Sequence, residues 1–405
     1  MGSFAYTAID KSGKESKGTL TAQNYDAAVN EVRNKGLTLI SLEEPSALSK
    51  DIDIAFLDKK PSARDMSVFC RSFVSILDAG VSVIAALEML GEQTENKKLR
   101  RAILETKHSI EVGETLSDAM RRHTDIFSDM FITLIAAGEA SGSLENSLTR
   151  MAEQFEKSAK LKAMIKKATV YPIVVAVVAV VVVIAMLTFI IPKFEDMFKD
   201  LGTELPAITK AVVAASQFMQ QYWYFVIAAI VALVLLLGIF KKSRIGQLLF
   251  AKLGIKLPLI GKLTLKQSSA RLSRTLSTLL GSGLPLIEAI EIAANTMSNV
   301  IFKEALMDAK DDVAVGSPLS EAIEKSNLFP PLFYHMLSIG EETGNIDGML
   351  NKLADYYEEE VEETTQQLTA LMEPMIIIVL AGVIGFLVIA VLSPMMSMYQ
   401  GLDNL

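Results

Sequence analysis

The sequence predicts a mainly α membrane protein: two homologous cytoplasmic six-helix bundles, three transmembrane helices and a small N-terminal α+β module of ββαβ order. Three observations carry this. One pattern occurs twice, over residues 66–192 and again over 269–394. Each copy ends in a long charge-free apolar run, and a third such run lies between them. Residues 3–44 instead show strand-like alternation around a short helical stretch.

In the leading module, Phe4, Tyr6 and Ala8 alternate with their neighbours, and Lys11-Ser12-Gly13-Lys14 forms a turn, so the pair reads as a hairpin. Ala28, Val29 and Val32 then fall at helical spacing. Gly36 stops that helix and residues 37–42 resume a strand pattern. Residues 45–61, mixed in character between two prolines, read as a linker.

The copies match motif by motif. Leu77-Asp78-Ala79-Gly80-Val81 answers to Leu280-Gly281-Ser282-Gly283-Leu284. Val112-Gly113-Glu114-Thr115-Leu116 answers to Val315-Gly316-Ser317-Pro318-Leu319. Gly138-Glu139-Ala140-Ser141-Gly142 answers to Gly340-Glu341-Glu342-Thr343-Gly344. Apolar residues three and four apart predict helices over 66–77, 83–91, 97–112, 116–122, 128–137 and 144–168 of the first copy. Gly80, Gly113 and Gly138 stand where helices should end. Thr115 with Asp118 forms a capping pair, and Pro318 is expected at the first position of its helix.

Residues 173–191, 222–240 and 375–392 are uncharged and close to the ~20 residues a spanning helix needs. The second is headed by Tyr222-Trp223-Tyr224, a suitable interfacial anchor. The expected order is module (1–44), linker (45–61), first bundle (62–170), first span (171–192) and short external segment (193–221). The second span (222–240), a cytoplasmic connector (241–264), the second bundle (265–372), the third span (373–394) and an external tail (395–405) follow. Lys157, Lys160, Lys162, Lys166 and Lys167 precede the first span, and Lys241, Lys242 and Arg244 follow the second. The positive-inside rule therefore places the N-terminus and both bundles in the cytoplasm of a multi-pass protein. Two intervening spans also return the second copy to the side of the first.

Composition narrows the chemistry. Hydrophobic residues make up 51% and charged ones 21%, a mixture of aqueous domains and bilayer spans. A net charge of −8 argues against nucleic acid as partner. The single cysteine, Cys70, reads as a small buried apolar residue. His108, His123 and His335 lack metal-ligand spacing, and no phosphate loop, dinucleotide fingerprint or nucleophile elbow occurs. The reading is of a non-enzyme without cofactor or metal.

The remaining candidates are partner or oligomer contacts. Glu139 and Glu341, framed by Gly138, Gly142, Gly340 and Gly344, either cap a helix locally or dock a partner. Glu373, followed by Pro374 and an uncharged run, is either an interfacial carboxylate or a polar contact between spans or subunits. Before the membrane the copies are opposite in charge: lysines in the first, Glu358, Glu359, Glu360, Glu362 and Glu363 in the second. These faces are expected to be solvated, and to pair within or between subunits.

Taken in order, these motifs, with Phe4-Ala5-Tyr6, Phe329-Pro330-Pro331 and Glu373-Pro374, resemble the type II secretion system F family over essentially the whole chain. The first copy departs from the pattern, with Phe127-Ser128-Asp129 lacking prolines and Tyr171 in place of the glutamate. The resemblance implies an inner-membrane platform protein of type IV pilus assembly or type II secretion. Its partners would be a cytoplasmic hexameric assembly ATPase, pilin or pseudopilin subunits, other inner-membrane assembly proteins, further copies of itself and the lipid bilayer. An oligomeric transporter or channel component is the competing reading.

Overall fold

The computed structural model describes residues 2–9, 15–22, 25–34, 38–43, 59–200 and 207–402. The turn at Lys11–Lys14, the stop at Gly36, most of the linker and the last three residues lie outside these.

The chain divides into two units, Met1–Lys59 and Lys60–Leu405. In the first, β1 (Gly2–Ile9), β2 (Glu15–Ala22), α1 (Tyr25–Asn34) and β3 (Thr38–Glu43) follow one another in the expected ββαβ order. The sheet order is β2-β1-β3 and both pairings are antiparallel. Phe4 opposes Leu20 in the first pairing, and an irregularity at Thr7/Ala8 interrupts the second. Val32 of α1 is fully buried.

The second unit begins with α2 (Ala63–Asp78), α3 (Val83–Gln93), α4 (Lys97–Glu111), α5 (Leu116–Arg121), α6 (Asp129–Ser141) and α7 (Leu144–Ala185). Side-chain oxygens of Ser62, Ser82, Asn96, Thr115 and Ser128 accept from first-turn amides, so five of these helices start on a capped end. A π-turn over Met186–Ile190 joins α7 to α8 (Ile191–Asp200). After α9 (Ala207–Lys242) and α10 (Arg244–Lys256), the second copy repeats the plan. Its helices are α11 (Pro258–Leu280), α12 (Leu286–Thr296), α13 (Val300–Ala314), α14 (Leu319–Lys325), α15 (Pro331–Thr343) and α16 (Ile346–Leu402).

The repetition extends to the backbone. Gly80 and Gly113 have φ of 79° and 99°, and Gly283 and Gly316 have 81° and 98°. Two expectations need correction. Gly138 is a buried residue inside α6, and the left-handed residue that ends the helix is Gly142, at φ 68°. A Cβ on Gly138 would lie 2.5 Å from Ser147 Oγ and 3.1 Å from Leu144 Cα, so its smallness serves the close crossing of α6 and α7. Pro318 occupies the cap of α14, one position before the helix starts.

Each bundle closes over aromatic rings. Phe127 and Phe131 stack at 5.4 Å, and Phe131 meets Phe155 at 6.1 Å. The matching Phe329–Phe333 and Phe333–Tyr357 distances are 4.8 and 6.3 Å. Phe69 and Phe73 of α2 become Leu272 and Leu276 in α11, while Leu99 of α4 becomes Phe302 in α13. All six are buried, so a ring has moved from the α2 position to the α13 position, and the second copy carries one ring fewer at these three sites.

Three helical stretches are long and apolar enough to cross a membrane: Leu144–Asp196, Ala207–Lys242 and Ile346–Leu392. The first and third run on from bundle helices. α16 alone, at 57 residues, is about 85 Å long at ~1.5 Å per residue. α9 has a non-helical break at Tyr222, the residue where the second apolar run begins. On the N-terminal side of that break, α9 is stitched to the ends of the other two long apolar helices. Thr209 donates to the Ala390 carbonyl at 2.6 Å, Gln217 to Glu195 at 2.8 Å, and Ser216 to the Leu187 carbonyl. Ile191, Val212, Val213, Leu387 and Ala390 form a small core there.

Candidate functional site

Glu139 and Glu341 are accounted for by contacts inside their own bundles. Helix α5 starts with Thr115 accepting from the Asp118 amide, which leaves its earlier amides without an intrahelical partner. Glu139, on α6, reaches back to fill them. Leu116 N–H donates to its Oε1 at 2.7 Å, and Ser117 donates to Oε2 from its amide at 3.2 Å and its hydroxyl at 2.9 Å. In the second copy Leu319 N–H donates to Glu341 Oε1 at 2.5 Å. Ser320 donates to Oε2 from its amide at 3.2 Å and also from its hydroxyl. A carboxylate at a helix N-terminus is favoured by both the free amides and the macrodipole. The cap is long-range in sequence, because it locks α6 to α5 and α15 to α14. Gly142 and Gly344, both at φ 68°, turn the chain immediately afterwards. What each turn leaves outward is Ala140 and Ser141 in the first copy, and Glu342 and Thr343 in the second.

The opposed charges before the membrane meet. Arg71 stands nine residues before Gly80, and Arg274 nine before Gly283; Glu156 and Glu358 stand fourteen after Gly142 and Gly344. The duplication thus carries one ion pair twice, Arg71–Glu156 and Arg274–Glu358. In the first copy the partners are 56% and 58% exposed; in the second they are 13% and 12% exposed. Arg274 gives Glu358 a 2.9 Å bond from Nε, Asp355 a 2.5 Å bond from Nη2, and Asn351 a 2.5 Å bond from Nη1. Lys157 of the first copy adds contacts to Glu358 at 3.1 Å and Asp355 at 3.4 Å. The first copy's lysine face and the second copy's glutamate face therefore pair within one chain at this point. Lys160, Lys162, Lys166 and Lys167 remain exposed.

The charges tune one another. Burial works against the charge on Arg274, but its bonds to Glu358 and Asp355 more than compensate and hold its pKa above the ordinary value. Burial likewise opposes ionisation of Asp355, and Arg274 and Lys157 overcome it, leaving the carboxyl below its ordinary range. Lys157 is raised, burial again being outweighed by Glu358. Arg271 is the exception: burial lowers it, and it donates to the Thr296 carbonyl at 3.0 Å and to Ser298 at 2.7 Å. The two copies are also in contact at Gly281, where an added Cβ would lie 2.7 Å from Arg150 Nη1. The matching position of the first copy is Asp78, which is exposed.

Glu373 and Pro374 lie on the exposed surface of α16, and the helix continues through both. The matching Tyr171 is 55% exposed, whereas Pro172 is buried. Among the described residues, no group of three or more His, Cys, Asp and Glu could hold a metal. Burial pushes the Cys70 thiol well above its ordinary value, which suits a packing residue.

The sequence reasoning named both glutamates but not their distant helix ends, and it missed Arg71 and Arg274 altogether. Aligning the copies residue by residue would have found the arginines.

Comparison with known proteins agrees with this architecture. The family described as type II secretion system (T2SS), protein F, matches residues 69–192 and again 272–394, one match per copy. The N-terminal domain of type II secretion system protein F matches residues 1–43. A Thermus thermophilus protein named type IV pilus assembly protein PilC is 35% identical over 394 residues, covering 97% of each chain. Its namesake in Pseudomonas aeruginosa is 36% identical over 350 residues, covering 86% of this chain and 94% of its own. A type II secretion system protein F of Vibrio cholerae is 29% identical over 401 residues, covering 98% of each. The duplicated bundles, the three apolar helices and the leading module together place the chain in the type II secretion system protein F family.

Proposed function

We propose that this protein is the inner-membrane platform of a type IV pilus or type II secretion machine. The observation that carries the reading is mechanical: α7 and α16 each leave a bundle core and continue as one helix into a membrane-spanning stretch. A displacement imposed on a bundle is passed to the bilayer without a flexible joint. In this reading both bundles and the N-terminus face the cytoplasm, as the lysines flanking the first two spans favour. A cytoplasmic hexameric assembly ATPase engages the bundles, and the spans act on pilin or pseudopilin subunits and on other membrane components of the machine. The Gly138–Gly142 and Gly340–Gly344 turns are the docking candidates, with Glu139 and Glu341 holding them rigid and Ala140, Ser141, Glu342 and Thr343 presented outward. Glu373 and Pro374, exposed on α16, are candidates for contact with another subunit. The pilus-named relatives in Thermus and Pseudomonas are somewhat more alike than the secretion-named one in Vibrio, and the pilus is the preferred assignment.

The test is co-purification of the detergent-solubilised full chain with the assembly ATPase from its own source. Recovery of the ATPase, lost on substituting both outward pairs (Ala140/Ser141 and Glu342/Thr343), supports the reading. No recovery under any nucleotide condition, together with solute flux in reconstituted vesicles, contradicts it.

A further inference from the structure

Residues 205–287 contain no acidic side chain, and residues 241–266 contain seven basic ones. Within this stretch lies α10, which the platform reading leaves unused. One face of α10 is seated on the protein: Gly246 and Ala251 are buried, and Asn299 of α13 donates to the Ala251 carbonyl at 3.3 Å. The other face is apolar and bare. Ile245, Leu249 and Leu253, spaced i, i+4 and i+8, are 69%, 54% and 53% exposed, and Phe250 beside them and Leu257 at the helix end are exposed as well. Lys252 and Lys256, one turn apart and exposed, border it.

The position of this stripe is fixed relative to the second span. Ser243 accepts from the Gly246 amide at 3.1 Å, and a Cβ on Gly246 would collide with the Phe240 carbonyl. The corner is therefore too tight for any other residue without a shift. Across it, the Phe240 and Phe250 rings meet at 6.4 Å, and Lys241 Nζ lies 5.9 Å over the Phe250 ring. The bare stripe thus begins where the charge-free run of α9 ends. Of the basic groups, Arg244 has Glu304 at 3.8 Å and Lys266 pairs with Glu360.

We propose that α10 is an interfacial helix. Its Ile245/Leu249/Leu253 stripe enters the boundary of the acyl region, and Lys241, Lys242, Lys252, Lys256 and Lys262 bind anionic phospholipid headgroups. The inference goes beyond the platform reading and rests only on α9 spanning the bilayer. In mechanical terms α10 pins the second bundle to the membrane surface, so that the bundle is tethered by a second element besides α16.

The experiment uses the full chain in nanodiscs, one copy per disc, in a Cys70→Ala background. An environment-sensitive fluorophore is attached through Leu249→Cys or, as a control, Gln247→Cys. Discs contain either phosphatidylcholine alone or phosphatidylcholine with one-quarter phosphatidylglycerol. The expected result is that shallow spin-labelled lipid quenches the probe at 249 at least threefold more than at 247. Adding Lys252→Glu and Lys256→Glu should reduce that quenching at least twofold in the anionic discs, with circular dichroism unchanged. Equal quenching at 249 and 247 by aqueous iodide overturns the proposal. So does protection of 249 that arises only with two copies per disc, which would assign the stripe to a second copy. Identical lipid quenching in both disc types overturns the headgroup assignment.

Discussion

Helices α2 and α11 are the same helix in two settings. Arg71, Ser75 and Asp78 of α2 lie exposed; their counterparts Arg274, Thr278 and Gly281 lie against the first copy or buried beside it. The copies therefore do not use matching faces equivalently. The second copy receives α7 of the first against α11 and α16, whereas Arg71, Ser75 and Asp78 on the matching face of α2 are exposed. A duplicated fold has been kept while one of its surfaces has been turned into an internal interface. The same Arg–Glu pair is a surface contact in one copy and the centre of a charge cluster in the other.

This difference can be broken in graded steps. The largest effect is expected from Arg274→Ala, which leaves Glu358 and Asp355 in a half-buried cluster with Lys157 as their remaining cation. A loss on the order of 2 kcal/mol, below the ~3–5 of a fully buried pair because Asp355 remains partly in water, should appear in thermal unfolding of the detergent-solubilised chain. Arg71→Ala should leave the transition nearly unmoved, since exposed pairs contribute little. Next, Glu341→Ala should cost about 1–2 kcal/mol by leaving the Leu319 and Ser320 amides unpaired. Glu139→Ala should cost somewhat less, because Thr115 still caps α5 while Pro318 offers α14 no side-chain cap. Hydrogen exchange of the two short helices distinguishes the pair. Gly281→Ala should cost about 1 kcal/mol by crowding Arg150, an effect not expected of Asp78→Ala at the exposed matching position.

The smallest effect concerns pH. Asp355 titrates below its ordinary value, so its contribution is complete above the unfolded carboxylate pKa of about 3.9 and is lost as pH falls through the folded value. Lys157 is raised, so its contribution is complete below about 10.4 and is lost as pH rises through its folded value. The difference in melting temperature between wild type and Asp355→Asn should therefore be flat from about pH 5 to 9 and shrink below about pH 4.

Much of the fold was legible because its signals are local. Spans show as charge-free runs, bundle helices as apolar periodicity, and Gly80 or Gly113 as residues needing positive φ. Gly138 was misread because a glycine near a helix end serves either a left-handed turn or a close crossing, and sequence does not separate the two. The partners of Glu139 and Glu341 lie more than twenty positions away, beyond any capping pattern. Arg274 and Glu358 are 84 residues apart and meet through tertiary packing. The stripe on α10 was legible in principle, at Ile245, Leu249 and Leu253, but its bareness depends on which face the bundle covers.

The asymmetry of the two copies is tested most directly by thiol labelling at matched positions on α2 and α11. Ser75 is exposed and Thr278 is 7% exposed, each five residues before its turn glycine. In a Cys70→Ala background, a hydrophilic maleimide should label Ser75→Cys at nearly the rate of a free thiol and Thr278→Cys at least tenfold more slowly. Equal rates at the two positions would contradict the account.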